Sequence, residues 1–211
     1  MTLGIAIPAH IHHLSSVKKL LMTISQSTVL PKQVSLSVSS FEGNLDLGDY
    51  PFELIITKTN ERKNACENRN TAARKLKTDI ISFIDADDLV HVKMVEYLIE
   101  AFKKGAKAVV HDYYQNSDRE SDWYISEIGS LDYHHEYVDT ALENWSFAIS
   151  SKQHRDYACG HISVKKNIFD KIFYDESIGW EAGEDAEYTV RLVKNKIKIS
   201  YISNRITQYV K

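Results

Sequence analysis

The chain has 211 residues, of which 43% are hydrophobic and 26% are charged. This length is enough for one domain with a sizeable core, and the composition is typical of a globular protein, which excludes disordered and low-complexity classes. The formal net charge of −3 lacks the basic excess that sequence-independent nucleic-acid binding needs, so we expect no nucleic-acid partner. Two cysteines alone cannot form a disulfide framework or a four-ligand zinc site.

The sequence predicts neither a transmembrane segment nor a secretory signal. No apolar run reaches the ~18 residues that a membrane span needs. The first ten residues have no basic start, no long apolar centre and no small-residue cleavage site. We therefore expect a cytoplasmic protein, or a domain of a longer multidomain chain.

Predicted strands and helices alternate in the first part of the chain. Apolar and β-branched runs predict strands, and apolar residues at helical spacing predict helices. In chain order these are a strand over 3–8, a helix carrying Val17 to Ile24 and capped by Ser15 or Ser16, strands over 34–38 and 52–56, a helix over 61–77, a strand over 79–84, a helix over 91–104 and a strand over 108–110. Such alternation is typical of a mainly parallel sheet with helices on its faces.

The pattern is less regular after about residue 115. We predict helices over 138–145, 167–172 and 184–196, and strands over 161–164 and 197–202. No repeat or linker-like tract interrupts the chain, so we interpret it as one α/β domain. We interpret its first half, 1–115, as an α/β unit of the nucleotide-binding type, and 116–211 as an elaboration on that unit.

Three carboxylates, in Asp85-Ala86-Asp87-Asp88, follow the most apolar predicted strand. In open α/β sheets, ligands bind at the carboxyl ends of the strands. Carboxylate oxygens favour Mg²⁺ or Mn²⁺, which usually bridge to substrate phosphates. The alternative is that Asp87 or Asp88 only caps the helix at His91. A cap needs one carboxylate, and this turn carries three, so we favour a metal-phosphate site.

A second acidic group, Gly183-Glu184-Asp185, opens the amphipathic helix over 184–196. The helix dipole favours anions in the first turn, where Asp185 would be held ionised and able to accept a proton. Simple complementarity to the dipole explains the same pattern equally well. Trp180 lies nearby and is a candidate platform for a sugar ring, although a lone tryptophan is more often part of the core.

Single basic residues offer weaker signals. Arg69 is suited to pair with a phosphate or a base edge, although a solvated helix face is the default interpretation. His111 and His161 are candidates for an added metal ligand, and each is more often structural. The sequence has no phosphate-binding P-loop, no dinucleotide-binding glycine motif and no nucleophile elbow, which argues against those enzyme classes.

Taken in order, these segments resemble the GT-A glycosyltransferases of family 2. The resemblance extends over about residues 3 to 193. It rests on the following motifs: Ile5-Ala6-Ile7-Pro8-Ala9-His10, Asn68-Arg69-Asn70-Thr71-Ala72-Ala73, Ile84-Asp85-Ala86-Asp87-Asp88, Cys159-Gly160 with Lys165-Lys166, and Gly183-Glu184-Asp185-Ala186-Glu187 with Arg191. Each motif is weak alone, and their common order and spacing make the resemblance specific. It implies a single GT-A domain, a Rossmann-like nucleotide-diphospho-sugar transferase fold, with a donor half over 1–115 and an acceptor half over 116–211.

The resemblance also implies roles for individual residues. Pro8, Ala9 and His10 would line the nucleotide pocket, and Arg69 would approach the base or the phosphates. Asp85 would support its loop, Asp87 would hold the ribose, and Asp88 with Asp87 would ligate Mn²⁺ or Mg²⁺. Asp185 would be the general base of an inverting transfer of a hexose from a UDP-sugar to a glycan hydroxyl. Glu184 would lie near the acceptor, and Trp180 and His161 are our weaker candidates for acceptor contacts.

Two positions depart from the family pattern. The family often has an aspartate that reads uracil after its second strand, and this chain has Ser39-Ser40-Phe41 there. Ser39 can still hydrogen-bond a base and Phe41 can stack on it, so UDP remains our expectation. The other departure is Asn64, where the family commonly has glycine.

Other functions share parts of this pattern. A nucleotidyltransferase would carry a Gly-rich, basic loop after the first strand, where this chain has Ala9-His10-Ile11-His12-His13. A phosphatase-like fold places its aspartyl nucleophile after the first strand, whereas Asp85 follows the fourth. A non-catalytic module that binds nucleotide sugars would need the acidic turn but not Asp185, so Asp185→Asn separates it from an enzyme.

Overall fold

The computed structural model describes residues 1–114, 123–135, 161–178 and 183–210. The helix predicted over 138–145, together with Cys159 and Trp180, lies outside these ranges. Within them, every helix is too short or too polar to cross a membrane.

One sheet contains all nine strands of the described residues. They are β1 (Leu3–His10), β2 (Gln33–Ser39), β3 (Glu53–Thr59), β4 (Ile80–Phe83), β5 (Leu89–Val90), β6 (Ala108–Tyr114), β7 (Tyr133–His134), β8 (Ile162–Lys165) and β9 (Ile199–Gln208). Their order is β3-β2-β1-β4-β8-β6-β9-β5, with β7 also on β9. Strands β3, β2, β1 and β4 are mutually parallel, and β8 runs antiparallel between β4 and β6.

Five α-helices flank this sheet in the described ranges. They are α1 (Leu14–Ser25), α2 (Ala65–Lys75), α3 (Met94–Lys103), α4 (Lys166–Phe169) and α5 (Glu184–Lys194). Short 3-10 turns lie at Ile11–His13, Trp123–Ile125 and Glu176–Ile178. The mainly parallel α/β fold predicted from the sequence is therefore confirmed, and strands from both halves of the chain share one sheet.

The core has two layers, because successive side chains of a strand point to opposite faces of the sheet. In β1, Ile5 and Ile7 face the apolar cluster that includes residues of α1 and α3, whereas Ala6 faces the cluster that includes residues of α2 and α5. Small side chains such as Ala72 and Ala73 give α2 its buried face. As a result α2 contacts β1 and β2 closely and carries its polar residues to the carboxyl edge of the sheet.

The helix starts differ from the predictions in three places. Helix α1 begins at Leu14 after His13, without a side-chain cap, so the prediction of a serine cap is wrong. Helix α2 begins after Asn64, whose side chain accepts a hydrogen bond from the Glu67 amide in a reciprocal capping box. This cap gives a structural reason for an asparagine where glycine is common. Helix α3 begins after Lys93, with β5 intervening, so the acidic turn does not cap it.

Candidate active site

A cavity of about 680 Å³ lies at the carboxyl ends of β1 and β4. Parallel strands bring segments that are distant in sequence to this edge. The lining residues are Pro8, Ala9, His10, His12, His13, Arg62, Lys63, Ala65, Asn68, Arg69, Asp85, Ala86, Asp87 and Glu184. The cavity is thus lined by histidine and basic residues together with carboxylates.

The turn after β4 divides its carboxylates between the cavity and the interior. Asp85 and Asp87 line the cavity and are half-buried. The side chain of Asp88 is 0% exposed. One of its oxygens lies 2.5 Å from Nε2 of His161, and the other accepts a hydrogen bond of 3.0 Å from the Val210 amide. The metal-ligand role of Asp88 stays a prediction, and it requires exchange of one of these two bonds.

His161 belongs to the interior network behind the turn. It is 2% exposed, its Nδ1 lies 2.9 Å from Oγ1 of Thr207, and its ring stacks on His111 with 5.6 Å between centroids. Burial raises the pKa of Asp88, and His161 opposes that shift. Burial also lowers the pKa of His111 to about 3. The sequence predicts an acceptor contact for His161, but its ring is instead buried against Asp88.

The start of α5 supplies the second acidic wall. Gly183 adopts φ 106°, a left-handed conformation that suits glycine, and so lets the chain enter the helix directly at Glu184. Glu184 lines the cavity, and Asp185 beside it is half-buried, with 14% of its side chain exposed. Burial acts to raise the pKa of both carboxyls. At Glu184, Arg69 and a hydrogen bond with Asp185 together outweigh burial and lower the pKa, whereas burial prevails at Asp185 and raises its pKa.

Arg69 joins the two acidic walls. Its Nη2 lies 2.7 Å from Oδ1 of Asp85, and its Nη1 lies 2.6 Å from Oε1 of Glu184 and 3.4 Å from Oδ1 of Asp185. The side chain is 3% exposed. The sequence favours a solvated helix face for this residue as the default, and the structure excludes that interpretation.

The structure places some of the residues predicted for the nucleotide pocket at the cavity. Pro8, Ala9 and His10 line it, and their contact with a nucleotide stays a prediction. Ser39 does not line the cavity, because it is buried and its hydroxyl bonds to the Ala9 carbonyl at 3.4 Å and to the Asn68 amide group at 3.1 Å. Ser39 therefore supports the cavity wall and is not placed to read a base.

The sequence interpretation missed four histidine and basic residues of the lining, namely His12, His13, Arg62 and Lys63. His12 and His13 belong to the 3-10 turn after β1, and Arg62 and Lys63 precede α2. All four follow the carboxyl end of a strand, and that position was the signal available from the sequence. They bring imidazole and cationic groups into the same cavity as the carboxylates.

The cavity residues fit a divalent cation of the magnesium type. Such ions usually take one or two protein carboxylates and complete their shell with water and substrate phosphates. Asp85 and Asp87 offer oxygens to the cavity, although Asp85 is also paired with Arg69. Among the described residues, no three histidine, cysteine or acidic side chains converge as a complete metal cage.

Comparison with protein-family models gives one match. The model described as "Glycosyl transferase family 2" matches residues 44–171. No curated protein sequence matches this chain significantly.

Solved structures share the fold at low sequence identity. A structure of S. aureus TarS is 14% identical, with a TM-score of 0.72, and the match covers 100% of this chain and 37% of TarS. The 1–349 fragment of TarS in complex with UDP is 12% identical with a TM-score of 0.71, covering 99% and 60%. The same fragment in complex with UDP-GlcNAc is 12% identical with a TM-score of 0.72, covering 100% and 59%. The chain thus spans less than two thirds of each of these structures.

Proposed function

Because this chain belongs to glycosyl transferase family 2, we propose that it transfers a hexose from a UDP-sugar to a hydroxyl of a glycan acceptor, with metal dependence and inversion at the anomeric carbon. Family membership argues against the nucleotidyltransferase alternative. The UDP and UDP-GlcNAc complexes of TarS, which shares the fold, support the choice of donor. A cytoplasmic location and membership of a longer chain stay predictions.

One observation carries the proposal. The cavity brings together Asp85 and Asp87, in the turn after β4, and Glu184, at the start of α5, and Arg69 pairs with both Asp85 and Glu184. A donor diphosphate needs positive charge or a cation beside it, and an acceptor hydroxyl needs a base. The cavity offers both kinds of group within one space.

In the proposed reaction, Glu184 orients the acceptor hydroxyl from the cavity wall and Asp185 accepts its proton. The acceptor oxygen forms a bond to C1 of the sugar as the bond from C1 to the diphosphate oxygen breaks, and UDP leaves with that electron pair. Attack from the face opposite the leaving group inverts C1. The raised pKa of Asp185 suits this role, because a base is most effective when its pKa approaches the working pH.

The donor side depends on the acidic turn. Asp87 would hold the cation, Asp88 would join it by exchanging its bond to His161, and Asp85 would stay paired with Arg69. When bound, Mn²⁺ or Mg²⁺ offsets the charge that develops on the departing diphosphate. Backbone groups of Pro8 and Ala9 would border the nucleoside.

Thermal melting with a panel of UDP-sugars, each with and without Mn²⁺, tests donor binding. A ligand that binds only the native state at a hundredfold excess over Kd adds about 2.7 kcal/mol to the free energy of unfolding. We expect a Mn²⁺-dependent shift in the wild-type protein that Asp87→Asn removes. Asp46→Asn, in the loop between β2 and β3, is the matched control. Absence of a shift with every UDP-sugar would refute the proposed donor.

Asp185→Asn then separates an enzyme from a binding module. We expect this variant to keep the UDP shift and to lose transfer to glycan acceptors, measured by release of UDP. Proton NMR of the product reports whether the anomeric configuration is inverted. Unchanged transfer by Asp185→Asn would remove this residue from the mechanism, and donor binding without transfer in the wild-type protein would favour the non-catalytic module.

A further inference from the structure

Both acidic walls of the cavity converge on Arg69. This residue lies in the second turn of α2. Asp85 lies in the turn after β4, and Glu184 begins α5, 115 residues after Arg69 in the chain. Its two terminal nitrogens pair on different sides, Nη2 with Asp85 at 2.7 Å and Nη1 with Glu184 at 2.6 Å. The guanidinium is therefore the direct link between the donor side and the base side.

We propose that Arg69 is a positioning residue that holds the acidic turn and the start of α5 at a fixed separation, so that the base faces the anomeric carbon of the bound donor. This inference rests on the proposed function and deepens it. It differs from the role implied by family resemblance, in which Arg69 contacts the base or phosphates of the nucleotide.

An arginine suits such a link better than a lysine does. The planar guanidinium presents several N–H donors in a rigid fork and can bond carboxylates on two sides at once. A lysine ammonium is a compact charge on a flexible stem, so it would hold one side well and the other poorly. The fork geometry fits the two short contacts that Arg69 makes with Asp85 and Glu184.

Neighbouring groups fix the plane of the guanidinium. The carbon at its centre lies 5.3 Å from the ring centroid of Tyr174. The backbone of Tyr174 is in turn held by Asn70, which accepts from the Tyr174 amide at 3.0 Å and donates to the Tyr174 carbonyl at 2.8 Å. Because Asn70 follows Arg69 in α2, the same helix supplies both the link and its support.

The link also has an electrostatic consequence. The guanidinium of Arg69 is surrounded by three acidic groups, those of Asp85, Glu184 and Asp185. Without its positive charge, these carboxylates would repel one another. Arg69 lowers the pKa of Glu184 against the effect of burial. Tyr174 and Cys66 are the other titratable groups facing Arg69, and burial raises the pKa of each.

Arg69→Gln and Arg69→Lys, with Arg74→Gln as the control, test the inference. Arg74 lies on the same helix, is half-exposed, and pairs with Glu176 at 3.3 Å on the surface. Each variant of the 211-residue chain is assayed for kcat and KM across pH with the active UDP-sugar, and for UDP affinity with Mn²⁺. Carbon-13 NMR titration of the Glu184 carboxyl, without nucleotide, gives a measure that does not depend on catalysis.

We expect kcat of Arg69→Gln to fall about 10²-fold, the order that a misplacement of about 1 Å can cause. Its UDP affinity should match that of Arg74→Gln, and its Glu184 carboxyl should titrate at higher pH. Arg69→Lys should restore the titration of Glu184 towards the wild-type value while kcat stays low, because the charge returns and the two-sided grip does not. Arg74→Gln should behave as wild type throughout.

Two results would overturn the inference. One is a wild-type kcat in Arg69→Lys, which also decides the matter if Arg69→Gln does not fold. The other is a loss of UDP affinity as large as the loss of kcat with an unchanged Glu184 titration, which would make Arg69 a direct donor ligand. If neither the wild-type protein nor Arg74→Gln transfers sugar, the proposed function fails separately, and the Glu184 titration still decides whether Arg69 governs that carboxyl.

Discussion

Removing the buried carboxylate of Asp88 should destabilise the protein far more than removing the neighbouring Asp87. Asp88→Ala leaves two buried partners without their bonds, Nε2 of His161 and the amide of Val210. Each such group costs about 1–3 kcal/mol, and breaking a buried ion pair costs about 3–5 kcal/mol in all. For a domain of this size, 1 kcal/mol lowers Tm by about 2–4 °C, so the expected drop is roughly 6–20 °C.

Calorimetry without metal or nucleotide measures this difference. Asp87→Ala is the matched control, because it deletes the same group one residue away on the cavity side. Substitutions of surface-accessible side chains usually change the free energy of unfolding by less than about 0.5 kcal/mol. Equal melting temperatures for the two variants would refute the reasoning, since Asp88 would then point to the cavity in solution and His161 would not hold it.

Three further predictions concern single residues. Asp185→Asn should lower kcat by roughly 10²–10⁴-fold. Because burial raises the pKa of Asp185, the wild-type kcat–pH profile should rise with pH above the usual aspartate value of about 3.9, and an acid limb unchanged in the variant's residual activity would contradict this. The pKa of His111 is lowered to about 3 in the folded protein. Below about pH 6.5, His111 therefore binds a proton in the unfolded chain while it stays neutral in the folded one. The free energy of unfolding should therefore fall from pH 6.5 towards 3, and urea melts of His111→Asn should show a flatter slope. Gly4→Ala would bring a Cβ to 2.7 Å from Oγ1 of Thr78 and 2.9 Å from Cδ2 of Leu76. We expect urea melts to show a loss of about 1–3 kcal/mol, and an unchanged midpoint would mean that the neighbours give way.

The sequence by itself determined the α/β class and the location of the cavity. Apolar runs such as 79–84, ended by polar residues, are local patterns, and the parallel arrangement then brings their carboxyl ends to one edge. The motifs around Arg69, Asp85 and Glu184 were recognisable for the same reason, because residue type and spacing carry them. The helix start at Leu14 was missed, since no side-chain cap marks it.

Only the tertiary structure decided what each acidic and basic group does. Asp87 and Asp88 are adjacent in sequence, yet one lines the cavity and the other is buried, because the turn into β5 sends their side chains in different directions. His161 contacts Asp88, which is 73 residues away in sequence, and Arg69 contacts Glu184, which is 115 residues away. Such pairings follow from how β8 and α5 pack beside β4 and α2. Local sequence patterns do not determine that packing, because it joins segments that are distant in the chain.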